Sequence, residues 1–183
     1  VKDTFDMRHT MERDELRYAI WLNPDALCCE YLYPVMAKLR QTLKGPVFAP
    51  HLTLVSGIVG EEKDLIHTFQ SCAEEQMIFT LHPSGVAISG DFFRAVTVNT
   101  TLPQQLHDFR AKVVKRFELT NAKPYHPHLS LAYGEISDEI LAPVQADLQQ
   151  RTWPNMTINS ISLWRLRGPV SNWRMVTTAS LTG

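Results

Sequence analysis

A chain of 183 residues, 44% hydrophobic and 20% charged, has the size and composition of one globular domain with a substantial core. A net charge of -1 and the lack of any lysine or arginine run exclude a stripe that could track a long nucleic acid, and no apolar run approaches the ~20 residues of a membrane-spanning helix. Cys28, Cys29 and Cys72 are odd in number and lack a Cys-x-x-Cys spacing, and Val1 opens no signal-peptide pattern, so the expectation is a reducing, cytoplasmic setting without disulfides, zinc or membrane.

Taken in order, residues 1–15 read as a polar arm and residues 16–183 as a single domain. Residues 16–22 are a short apolar run halted by Asn23-Pro24-Asp25, a buried strand. Pro34 suits the first turn of a helix running to Lys44, with Val35, Met36, Leu39 and Leu43 on one face and Gly45-Pro46 as its stop. A motif strand, residues 48–57, follows. Acidic Glu61 and Glu62 then open a helix reaching about Gln76. Residues 77–89 are strand-like, broken by Pro83-Ser84-Gly85, and residues 92–98 read as the next strand. Pro103 opens a helix with Leu106, Phe109, Val113 and Phe117 inward, and a second motif strand, residues 125–134, comes after it. The chain closes with a helix from Asp138 to about Gln150 and strands over residues 156–166 and 173–180.

The two motif strands are copies at a constant offset. Phe48-Ala49-Pro50-His51-Leu52-Thr53-Leu54-Val55-Ser56-Gly57 recurs as Tyr125-His126-Pro127-His128-Leu129-Ser130-Leu131-Ala132-Tyr133-Gly134, with half the positions identical. Side chains alternate along a strand, so His51 and Thr53 share one face while Leu52 and Leu54 enter a core, and His128 with Ser130 repeats the division. Strand, Pro-initiated helix and motif strand occur twice, which predicts an α+β fold of two similar lobes whose antiparallel sheets line a central cavity, with helices outside. Two imidazoles and two hydroxyls around one cavity equip it for acid–base chemistry on a phosphoryl group. Phe92, Phe93 and Trp173 could stack a base or simply pack in the core. His126 and His128, two apart, could instead ligate a metal, although the counterpart of His126 is Ala49. His9, His67, His82 and His107 lack such a context.

The tandem His-x-Thr/Ser arrangement resembles the two-histidine phosphoesterase superfamily. Within it, residues 44–53 and 124–131 are similar to the plant and yeast type of cyclic nucleotide phosphodiesterase. The resemblance implies a bilobal monomer that needs no metal or cofactor and takes a small nucleotide bearing a cyclic phosphate. Ribose 2',3'-cyclic phosphates and ADP-ribose 1'',2''-cyclic phosphate, a by-product of tRNA splicing, would be opened to a monoester. It implies His51 and His128 as the catalytic acid–base pair, Thr53 and Ser130 as phosphate-binding hydroxyls and Tyr133 as a substrate-binding residue. The plant members can carry disulfides, for which the cysteines here suggest no matching pair. Cleavage of 2',5'-linked oligoadenylates or cyclic oligonucleotides, and a nucleotide- or RNA-binding module without turnover, are the alternatives.

Overall fold

The computed structural model describes residues 15–120 and 124–183. The polar arm expected over residues 1–15 lies, except for Glu15, outside the described residues. In chain order the elements are β1 Arg17–Pro24, α1 Ala26–Leu43, β2 Leu52–Ile58, α2 Glu62–Glu74, β3 Phe79–Leu81, β4 Pro83–Ile88, β5 Val96–Thr100, α3 Gln104–Arg116, β6 His128–Ala132, α4 Asp138–Gln149, β7 Met156–Leu166 and β8 Arg174–Ser180, with 3-10 turns at Phe92–Arg94 and Val170–Asn172.

The strands pair antiparallel in the order β3-β7-β1-β2-β6-β5-β4, and β8 shares an edge of β7 with β3. The duplication is visible in the pairing. In one lobe β1 pairs with β2, Trp21 opposite Thr53, and in the other β5 pairs with β6, Thr97 opposite Ser130. The lobes meet at a narrow seam, with Leu52 opposite Leu129 and the Ser130 N–H donating to the His51 carbonyl at 3.4 Å. What the seam lacks in pairing, the helices supply. The lobe-one helix α1 packs on β6, and the lobe-two helix α3 packs on β2.

Alternation along the strands separates two apolar clusters. Tyr18, Ile20 and Leu22 of β1 join Leu52, Leu54, Leu129 and Leu131 under the helices, in the main core. Ala19 and Trp21 point the other way, into a smaller aromatic cluster with Tyr133 and Trp173, flanked by Phe48, Phe92, Phe93 and Trp164.

Three local expectations are corrected. Pro34 does not start α1 but lies inside it. The helix starts at the Asp25 cap, whose carboxylate accepts from the Cys28 N–H at 2.8 Å. Cys28 and Leu32 continue the apolar stripe of Val35 and Leu39, so burial carries the helix through the proline. The backbone carbonyl that Pro34 leaves without an intrahelical donor belongs to exposed Glu30, where water can satisfy it. The repeat is therefore strand, helix, motif strand, and only its second helix begins after a proline. Phe92–Arg94 is a 3-10 turn before β5 rather than part of the strand, because the Asp91 carboxylate captures the Phe93 N–H at 3.0 Å. Pro83-Ser84-Gly85 lies within β4 as a register shift, and the break falls at His82. No helix among the described residues is long and apolar enough to cross a membrane.

Candidate active site

Each histidine sits where its motif enters a strand: His51 just before β2, His128 as the first residue of β6. In both copies the order is X-Pro-His. Proline holds the residue before it in extended backbone. The carbonyl of that residue faces the imidazole two positions on: His51 Nδ1 lies 2.7 Å from the Ala49 oxygen and His128 Nδ1 2.9 Å from the His126 oxygen. A carbonyl only accepts, so Nδ1–H is the donor in both rings and Nε2 carries the lone pair. His126 thus meets His128 through its backbone, its own ring lying exposed, and no group of three or more metal-ligating side chains gathers among the described residues.

His51, Thr53, His128, Ser130 and Tyr133 line one cavity of about 810 Å³, together with Trp21, Phe93, Trp173, Arg17 and Arg94. The sequence-predicted site residues are therefore brought together. Of the three aromatics left open between stacking and packing, Phe93 and Trp173 reach the cavity wall while also belonging to the aromatic cluster, and Phe92 packs edge-on against Phe93.

The pseudo-symmetry of the motifs does not extend to their surroundings. His51 is 1% exposed, stacked on Trp21 with ring centroids 3.5 Å apart and planes 10° apart, and Trp21 stacks on Trp164 in turn. The strand position matching Trp21 in the other lobe is Thr97, and His128 remains half-buried. The Tyr133 hydroxyl, donated across the cavity, lies 3.4 Å from His51 Nε2. Its repeat counterpart, Ser56, is too short for such a reach. Phe48 stacks on Tyr133 at 4.0 Å, and Gly45 lies so close to the Tyr133 carbonyl that a Cβ there would sit 2.0 Å from its oxygen. On the opposite side, Tyr125 donates its hydroxyl to the Thr53 carbonyl at 3.1 Å. Each lobe's motif is thus braced by an aromatic of the other.

Burial dominates the electrostatics. Desolvation pushes His51 down from the usual 6.5 to about 4, against the opposing pull of its bond to Ala49, with the nearby His128 adding to the fall. His128 is also lowered, first by desolvation and then by the Arg94 charge, while Asp91 opposes. At neutral pH a buried imidazole with its lone pair on Nε2 can accept a proton, and a partly exposed one can exchange protons with water. Trp21, Glu15, Arg17 and Arg94 are among the cavity residues that the sequence reading missed. Trp21 lay in a strand legible only as buried, and the arginines are isolated charges with no motif.

The comparisons agree with this architecture. A cyclic phosphodiesterase of Arabidopsis thaliana is 25% identical over 122 residues, 67% of this chain and 67% of that protein. Apo E. coli LigT superposes with a TM-score of 0.60 at 20% identity, covering 91% of this chain and 98% of LigT. Its complex with 3'-AMP gives 0.59 at 18%, covering 92% and 99%. The family model of the 2'-5' RNA ligase superfamily matches residues 36–169, which hold both histidine motifs. The chain therefore belongs to the 2'-5' RNA ligase superfamily, the two-histidine phosphoesterase enzymes.

Proposed function

We propose that this chain hydrolyses small cyclic phosphates, 2',3'-cyclic nucleotides and ADP-ribose 1'',2''-cyclic phosphate among them, to a single phosphomonoester. The observation that carries the reading is the matched pair of imidazoles: both hold Nδ1–H on a backbone carbonyl and line one cavity with two motif hydroxyls. It is supported by the cyclic phosphodiesterase relative, and by LigT having been solved with 3'-AMP, a monoester of the kind that opening at the 2' oxygen would leave.

In the proposed reaction water attacks phosphorus as His51 Nε2 takes its proton. The new P–O bond forms while the bond from phosphorus to one ribose oxygen breaks, and that oxygen takes a proton from His128 Nε2. The Thr53 and Ser130 hydroxyls donate to the non-bridging oxygens as their charge redistributes. His51 ends charged and His128 neutral, and exchange with solvent resets both. The environments support this division of roles: His51, stacked and desolvated, begins neutral and serves as base, while His128, nearer solvent, begins charged in the productive complex. No step in this scheme uses a metal. Tyr133, which can hold the His51 lone pair until substrate arrives, is placed in the binding wall. The three unpaired thiols fit a reducing cytoplasmic setting, and we take the working species to be a monomer.

Phosphorus NMR of the protein with a 2',3'-cyclic mononucleotide in EDTA tests the reading. The cyclic resonance should convert to one monoester, and His128→Ala should convert it at least a hundredfold more slowly. Turnover by the variant equal to wild type, or loss of turnover in EDTA, would overturn it.

A further inference from the structure

The catalytic cavity opens into a second cleft of about 780 Å³, with Arg17, Thr53, Ser56, Gly57, Arg94 and His128 common to both. Either volume alone is ample for a mononucleotide. The second cleft adds one more cation, Arg110, to the two arginines that it shares with the catalytic cavity. Among the described residues its walls carry the guanidinium groups of Arg17, Arg94 and Arg110 against one carboxylate, Glu118, on a chain whose net charge is -1.

The three arginines are held differently. Arg17 is bound to Glu15 at 2.6 Å. Arg110 lies over the Tyr125 ring, 4.6 Å from its centroid, and donates Nε–H to the Leu54 carbonyl at 3.3 Å, which fixes its charge in the cleft wall. Arg94 is exposed at the junction of the two clefts, and its guanidinium makes no hydrogen bond or ion pair among the described residues. The nearest acid on its own turn, Asp91, is engaged as the cap of Phe93 and lines neither cleft. Arg94 is anchored through its backbone instead, its carbonyl accepting from the Ser89 hydroxyl at 2.9 Å.

We propose that Arg94 holds a second phosphate of the substrate, so that the preferred substrate is a cyclic phosphate bearing another phosphate within one nucleotide's reach, not a bare nucleoside cyclic phosphate. This rests on the hydrolase reading above and extends it from the reacting group to the rest of the ligand. The planar guanidinium can take two phosphate oxygens at once, and the Arg110 charge behind it favours an anion that continues into the second cleft. Glu118 and the overall negative charge weigh against a long polyanion, which limits the extension to one further phosphate or a short oligonucleotide end.

The test compares adenosine 2',3'-cyclic phosphate with the same compound carrying a 5'-phosphate. Wild type should show a kcat/KM about tenfold or more higher for the 5'-phosphorylated substrate, expressed mainly in KM and shrinking as salt is raised. Arg94→Gln should bring that ratio close to one, Arg94→Lys should restore part of it, and Lys63→Gln, which removes an exposed charge outside both clefts, should leave it as in wild type. Because the readout is a ratio between substrates, a general loss of activity cancels. A wild-type ratio near one, or a ratio unchanged in Arg94→Gln, overturns the proposal. If wild type turns over neither compound, the hydrolase reading fails. The subsite is then judged by calorimetry, where adenosine 3',5'-bisphosphate should bind about tenfold tighter than adenosine 3'-phosphate through Arg94, and equal affinities overturn it.

Discussion

At the scale of single residues, two histidines that look interchangeable in the sequence are made different by one neighbour each. Trp21 covers the face of His51, whereas Thr97 occupies the matching place in the other lobe. On the proposed assignment, with His51 at about 4 as base and His128, lowered from 6.5, as acid, both limbs of the free enzyme's pH profile fall on the acid side. The expected kcat/KM profile is a bell with its maximum below pH 6.5, because His128 loses its proton as pH rises through its lowered pKa, whereas His51 is protonated, and so unable to act as base, only below about 4. A steady-state pH series checks this, and a maximum at pH 8 or above would contradict the assignment. Binding of the phosphate anion favours charged His128, so kcat should hold to higher pH than kcat/KM. Of the hydroxyls, Thr53→Ala should lower kcat by about tenfold to a hundredfold by removing one donor to a charged oxygen, whereas Thr53→Ser should keep most of it.

At the scale of elements, the seam between β2 and β6 is narrow and the crossed helices hold it. The end of α1 meets the end of β6 backbone to backbone at Gly45 and Tyr133, with Gly134 beside the Leu43 carbonyl. Gly45→Ala would drive a methyl into the Tyr133 carbonyl, and because the obstacle is backbone it cannot rotate away. The expected cost is about 2 kcal/mol or more in denaturant unfolding, with activity falling further than stability because Tyr133 moves with the strand. Unchanged stability and activity would show that the contact relaxes freely. The same scale explains why Pro34 misleads. Proline is a frequent first-turn residue, but an Asp cap nine positions earlier and a continuous apolar stripe outweigh one lost hydrogen bond on an exposed face.

At the scale of the whole molecule, burial of an uncharged histidine ties stability to pH. The unfolded chain binds a proton at His51 below about 6.5, whereas the folded chain resists until about 4. Stability is therefore full above pH 6.5 and falls as pH drops from there toward 4, by on the order of 3 kcal/mol at this site, with the lowered His128 acting in the same direction. Urea midpoints across that range should decline for wild type and decline less for His51→Gln. A flat wild-type profile would mean that His51 protonates as readily in the folded state as in the unfolded one.

What the sequence alone determined was local and repeated. The alternation of Leu52 and Leu54 with His51 and Thr53, and its copy around His128, fixed which side chains face the core, because the two-residue period of a strand does not depend on its partners. The copy also exposed the two-lobed plan and the residues that share a cavity. The tertiary structure alone decided which aromatic covers which histidine, that Tyr133 of one lobe reaches the imidazole of the other, and that Arg17, Arg94 and Arg110 flank adjoining clefts. These are meetings of positions tens of residues apart, created by the crossing of helices over a narrow seam. Periodicity encodes the face a residue takes on its own element, but it carries no information about which face will lie opposite.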